Sequence, residues 1–178
     1  KDRLIKFDPT QCVIVNYRPF EKRWLYNDRV LNWSQYQQNH IFLGKKSENL
    51  VINIVGPGSG KDFSCFMSDT VPERHSLGNG QCFPMKIYPT SDSTIKLPSD
   101  QPRLFMDKST TTNGITDGIT DEGLQHLLDA YGDEKFSKED LFYYIYGVLN
   151  STEYQERFQN NLAKELPRIP AVKRFEDF

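Results

Sequence analysis

The sequence predicts an α+β fold, in which a β-rich N-terminal portion of antiparallel hairpins is followed by a helical C-terminal portion. Before about residue 90, short apolar and β-branched runs are punctuated by Pro- and Gly-containing turns. After residue 119 the apolar period changes to that of capped helices. Between them lies a stretch rich in Ser, Thr, Asp, Pro and Gly, with one apolar island at Leu104-Phe105-Met106, which suits a long loop or linker. The expected organisation is a β-rich part at 1–90, a linker at 91–118 and a helical part at 119–178. A chain of 178 residues can bury a real core, and aromatics at 13% supply much of it.

Cys12 to Tyr17 is apolar and β-branched, and Arg23 to Asn27 alternates well enough to pair with it across Pro19-Phe20-Glu21-Lys22. Pro19 is a natural turn former, so a hairpin is expected there. Residues 29–42 mix Asn32, Trp33, Ser34, Gln35, Tyr36, Gln37, Gln38, Asn39 and His40 with a few apolar residues, and suit a short helix or an ordered loop. Strands are expected at 50–55 and 63–68, joined by Gly56-Pro57-Gly58-Ser59-Gly60-Lys61. Phe66 to Pro89 is expected to form two strands flanking a Gly-rich turn.

The helical part is regular enough to parse residue by residue. Thr120 caps a first helix, with Asp121 and Glu122 against the positive end of its dipole and Gly132 near its stop. Ser137 stands three residues before Asp140, a capping-box-like start, and Leu141, Phe142, Ile145, Val148 and Leu149 recur on one face that must be buried. Asn150 with Glu153 restarts the pattern. Tyr154, Phe158, Leu162 and Leu166 then fall four apart, before Pro167 and Pro170 forbid further helix.

Charge is distributed unevenly behind a net value of −2. Residues 1–61 hold ten Lys or Arg against five Asp or Glu, whereas residues 117–166 hold four against eleven. A positive half can follow a polyphosphate backbone by displacing counterions, while an acidic helical half faces away from it or meets a protein partner. Arg suits guanine, Asn or Gln suits adenine, and aromatics stack or wedge, so Arg18, Lys22, Arg23, Arg29, Asn32, Gln35, Ser59 and Lys61 are the candidate contacts if this half meets DNA, as the family resemblance given below implies; charge alone fits two solvated surfaces equally. For the 29–42 segment the alternative is a polar turn with Trp33 and Tyr36 tucked into the core.

Several chemistries are disfavoured by what the spacing lacks. Residues 50–61 mimic a nucleotide-binding loop, but Val55 stands where its first Gly belongs and Asp62 where its Ser or Thr belongs. Three cysteines, Cys12, Cys65 and Cys82, at wide spacing describe neither a disulfide framework nor a zinc site. Cys82 with His75 lacks an identifiable orienting third group, and no second shell is identifiable in the sequence that would make Asp69, Glu73 and His75 a metal cluster. No catalytic residue and no metal ligand is assigned. There is no apolar run near the ~18 residues of a membrane span and no signal-peptide pattern.

Three runs carry a family resemblance. KEDLFYYIYGVLNSTEYQERFQNNLAKELPRIP at residues 138–170 is similar to the C-terminal segment of large bacterial restriction-modification polypeptides of the type ISP kind. NYRPFEKRWLYND at 16–28 and FMSDTVPERHSLGNGQCFPMKIYP at 66–89 resemble two further signatures of the same region, in the same order. Only the middle, roughly Thr90 to Asn113, has no counterpart. In that family one chain carries nuclease, helicase-like translocase, adenine methyltransferase and target-recognition parts. The resemblance implies that these residues are the target-recognition part, cut at both ends from a larger cytoplasmic polypeptide, docking duplex DNA against an upstream methyltransferase domain.

The methyltransferase's own signatures, an Asn or Asp followed by Pro-Pro and an aromatic and a Gly-rich loop for S-adenosylmethionine, do not occur in these residues. Catalysis is therefore not expected of them. S-adenosylmethionine, ATP and magnesium are implied for the parent polypeptide only, which the resemblance makes a site-specific DNA adenine methyltransferase and restriction enzyme. Two other readings stay open: a protein-interaction module whose bipolar charge serves docking alone, and a small cysteine hydrolase or nucleotide-binding protein.

Overall fold

In the computed structural model the described residues are 6–32, 38–42, 48–89, 114–132 and 135–173. The expected linker at 91–118 therefore lies mostly outside them. Strands β1 (Cys12–Arg18) and β2 (Glu21–Tyr26) form the expected antiparallel hairpin, with Pro19 and Phe20 as the turn and a register shift between Asn16 and Arg18. The short helix α1 (Gln38–Ile41) follows, and then β3 (Val51–Ile54), β4 (Cys65–Ser68), β5 (Val71–Pro72), β6 (Gln81–Pro84) and β7 (Lys86–Ile87).

Two three-stranded sheets result. In one the order is β2-β1-β5, with β5 parallel to β1 through Val15↔Val71 and Asn16↔Pro72. In the other β3 is central, antiparallel to both β4 and β6. The stretch 66–89 thus differs from two strands about a turn. Within it, β4 and β6 never pair with each other but flank β3, and β5 leaves to join the hairpin. A two-stranded ribbon of β7 and β8 (Thr116–Asp117) leads towards the helices.

All four residues of β3 are buried because both faces of this strand are covered. Successive side chains point to opposite faces. Ile52 and Ile54 meet Phe142 and Leu149 of α3 (Lys138–Asn150) and Tyr154 and Leu162 of α4 (Thr152–Leu162). A second cluster joins Leu127 of α2 (Asp121–Tyr131) to Leu141 and Tyr144. Each such side chain contributes about 1.5–3 kcal/mol on burial; the first cluster fixes α3 and α4 on the β3 sheet, and the second joins α2 to α3.

The helix ends follow the sequence closely. Thr120 Oγ1 accepts from the Gly123 amide at 3.0 Å, and Gly132 closes α2 with φ +69°. At α3 the capping box is complete: Ser137 Oγ accepts from the Asp140 amide at 3.1 Å and Asp140 accepts from the Ser137 amide at 2.8 Å. The Ser137 hydroxyl, 2.7 Å from the same carboxylate oxygen, and the Ser137 amide hold the Asp140 carboxyl below its ordinary range. The start of α4 differs from expectation, since Asn150 is the last residue of α3 and Ser151 supplies the cap. Its end differs too. The helix stops at Leu162, the Lys164 and Glu165 amides both turn back to the Asn161 carbonyl, and Leu166 is 44% exposed.

The chain beyond α4 crosses back over all three long helices. The Tyr154 hydroxyl donates to the Arg168 carbonyl at 2.8 Å, that of Tyr144 to the Pro170 carbonyl at 2.5 Å, and the Val172 amide donates to the Tyr131 hydroxyl at 2.8 Å. Ile169 packs into both clusters. Burial, together with the neighbouring Tyr131, pushes the Tyr144 hydroxyl up to about 12. Among the described residues no helix is long and apolar enough to cross a membrane.

Candidate nucleic-acid interface

The eight candidate DNA contacts fall into three places. On the hairpin, each cation has a carboxylate partner. Arg18 pairs with Glu73 at 3.2 Å, Lys22 with Asp69 at 2.6 Å and Arg23 with Glu21 at 2.6 Å. The Arg18 and Arg23 guanidinium groups also lie over the Tyr17 ring, 4.2 and 4.1 Å from its centroid. Exposed pairs of this kind contribute little to stability, but three positive charges against three negative ones leave no local excess to attract phosphate.

In the turn after β2, the Asn32 side-chain amide donates to the Tyr26 carbonyl at 2.7 Å and the Asp28 carbonyl at 2.9 Å. It therefore holds the turn's shape. Arg29 beside it is exposed, and Gln35 lies outside the described residues.

Ser59 and Lys61 sit on the loop between β3 and β4, which folds against the turn 73–80. The Gly56 amide donates to the Gly78 carbonyl at 3.2 Å, and a Cβ on Gly56 would stand 2.1 Å from the Asn79 carbonyl oxygen, so only Gly fits. Gly78 has φ +88°, and the Lys61 stem passes 2.9 Å from where its Cβ would be. The far side of the loop is anchored by the Gly58 amide on the Ala163 carbonyl at 3.2 Å, just past α4. Ser59 Oγ accepts from the Lys61 amide at 3.2 Å. Lys61 is exposed and makes no ion pair with any described residue.

The partner turn was not singled out from sequence as a contact surface. It presents Arg74, His75 and Asn79 to solvent. Its shape is set from below by Asn53, 1% exposed on the face of β3 opposite the helices, whose amide donates to Ser76 Oγ at 3.3 Å. The Gly80 amide closes the turn on the Arg74 carbonyl at 2.7 Å. The available sequence signal was Gly78-Asn79-Gly80, which marks a tight turn, but not that this turn meets the loop twenty residues earlier.

The cysteine reading finds no support in geometry. Cys82 Sγ donates to Asn53 Oδ1 at 3.3 Å and burial pushes its thiol up to about 12, while burial takes Cys65 to about 11. A thiol so raised is not a nucleophile near neutral pH. Asp69 and Glu73 are the partners of Lys22 and Arg18, and no three His, Cys, Asp or Glu side chains converge as a metal site among the described residues.

Comparison with known proteins identifies the frame to which these loops belong. The cryo-EM structure of a DrdV–DNA complex matches with 31% identity and a TM-score of 0.79, covering 97% of this chain and 15% of that one. A nuclease-deletion mutant of the type ISP restriction-modification enzyme LlaGI, in complex with a DNA substrate mimic, matches with 31% identity and a TM-score of 0.67, over 94% and 12%. The ATP-dependent type ISP enzyme LlaBIII bound to DNA matches with 26% identity and a TM-score of 0.73, over 95% and 10%. The chain thus spans 15% or less of each of these proteins. No curated protein matches it in sequence. The profile of the type ISP C-terminal specificity domain matches residues 1–178, and the chain belongs to that family.

Proposed function

We propose that these residues choose the DNA sequence on which a larger type ISP restriction-modification polypeptide acts. The observation that carries this reading is the likeness, over 94% or more of the chain, to enzymes solved on DNA. The paired glycine loops offer the chemistry required. Lys61 supplies phosphate grip, glycines admit the backbone closely, and Arg74, His75 and Asn79 carry donors and acceptors suited to base edges. Ser59 supports Lys61 from within the loop, Arg29 is a further cation, and Asn32 shapes its turn.

Within this reading the domain performs no chemistry itself. It works in the cytoplasm beside an upstream adenine methyltransferase domain of the same polypeptide, and S-adenosylmethionine, ATP and magnesium serve those other parts. A domain exchange tests it: residues 1–178 are replaced in the full-length polypeptide by the matching region of a relative with a different target, and methylation is measured on a library of duplexes. Sequence preference is expected to move with the exchanged residues. Unchanged preference refutes the assignment.

A further inference from the structure

We propose that the β1–β2 hairpin is a protein-docking arm, which seats Phe20 and the face carrying Ile14 and Trp24 on another part of the same polypeptide. The inference rests on the proposed function only in taking the domain to be carried by a longer chain. The hairpin is tied to the rest of the domain by two bridge pairs to β5, by the Glu73 amide on the Asn16 carbonyl at 2.8 Å, and by the Arg18–Glu73 and Lys22–Asp69 pairs. Glu21, Lys22, Arg23 and Trp24 in succession are exposed, so β2 is open on both of its faces.

At the tip, the two-residue turn holds Phe20 fully out in solvent, 102% exposed. Ile14 and Trp24 are directly opposed in register, hence on one face, and are 42% and 67% exposed. Val30 and Leu31 in the following turn add to the same segment. A concentration of exposed apolar side chains on one short stretch marks a contact surface.

Charge decides between DNA and protein as the occupant. A phosphate backbone is gripped by cations in excess, and here each of Arg18, Lys22 and Arg23 is already matched by a carboxylate. Protein interfaces instead favour aromatic and Arg side chains with charges paired or at the rim. The related enzymes supply the occupant, since this chain covers 15% or less of each and the remaining polypeptide lies in covalent reach. The fitting surface is an apolar pocket for the Phe20 ring, outside residues 1–178.

The test uses the full-length polypeptide carrying Phe20→p-benzoylphenylalanine, irradiated with and without cognate duplex, and mapped by peptide mass spectrometry. The tip is solvent-exposed, so the larger side chain leaves the hairpin intact. The expected result is a cross-link within one polypeptide to a peptide outside residues 1–178, formed without DNA and retained with it. A cross-link to duplex, to a second copy of the chain, or to no peptide outside these residues overturns the proposal. The domain exchange separates the two ideas: if preference follows the domain while the cross-link fails, only the docking arm falls. If the cross-link forms while preference stays, only the recognition reading falls.

Discussion

Lys61 and Lys22 are both exposed lysines in the positive half of the sequence, yet their surroundings predict opposite behaviour on DNA. Lys61 projects from the glycine loops with no ion-pair partner among the described residues, whereas Lys22 lies 2.6 Å from Asp69. Each phosphate contact adds about 0.9 to the slope of log affinity against log salt. Over a fourfold rise in salt, from ~50 to ~200 mM, one contact therefore accounts for a loss of about 3.5-fold. Lys61→Ala should flatten the slope by about 0.9 on cognate and scrambled duplexes alike, because phosphate carries no sequence. Lys22→Ala should leave the slope unchanged, since the ammonium it removes is balanced by Asp69 rather than by DNA. Fluorescence anisotropy of the full-length polypeptide with labelled duplex, titrated at several salt concentrations, reads both. A flattened slope for Lys22→Ala, or an unchanged one for Lys61→Ala, refutes the assignment of the phosphate face to the glycine loops.

Gly147 lies inside α3, and a Cβ there would meet nothing within 4 Å. Gly147→Ala should stabilise the protein by about 0.5–1 kcal/mol, while Gly147→Pro should cost roughly 3 kcal/mol or more; thermal melts separate the two. Asp140 is held below its ordinary range by Ser137, so its contribution is present above the unfolded carboxylate range and lost as pH falls through the depressed value. Melting temperature should therefore fall more steeply in acid for the native protein than for Asp140→Asn, and identical acid slopes would remove the capping box from the account. Because burial pushes the Cys82 thiol up to about 12, iodoacetamide near pH 8 should spare Cys82 in the folded protein and label it after denaturation, as mass spectrometry of the peptide will show.

What could be read from the sequence was what is decided locally. Thr120, Ser137 with Asp140, and Gly132 act within a turn of chain, and each stands where its chemistry placed it. The β1–β2 hairpin and the glycine loop between β3 and β4 were legible for the same reason, and the three sequence runs pointed to the family that the profile match shows. Long-range pairing was not legible. Glu73 lies 55 residues from Arg18 and Asp69 lies 47 from Lys22, so counting charge over residues 1–61 left out two of the three carboxylates that cancel the hairpin's cations. Leu166 kept the helical period but not the helix, because the backbone after Leu162 is drawn instead towards the tyrosine hydroxyls of the helices.

That crossing segment bears on the order in which the domain is made. The hydroxyls of Tyr131, Tyr144 and Tyr154 take their partners from residues 168–172, which leave the ribosome after all three helices. During synthesis the helices emerge with their hydroxyls facing water and their two apolar clusters short of Ile169. The helical layer can therefore close only once the strap has left the ribosome, when it joins three separately capped elements into one cooperative unit.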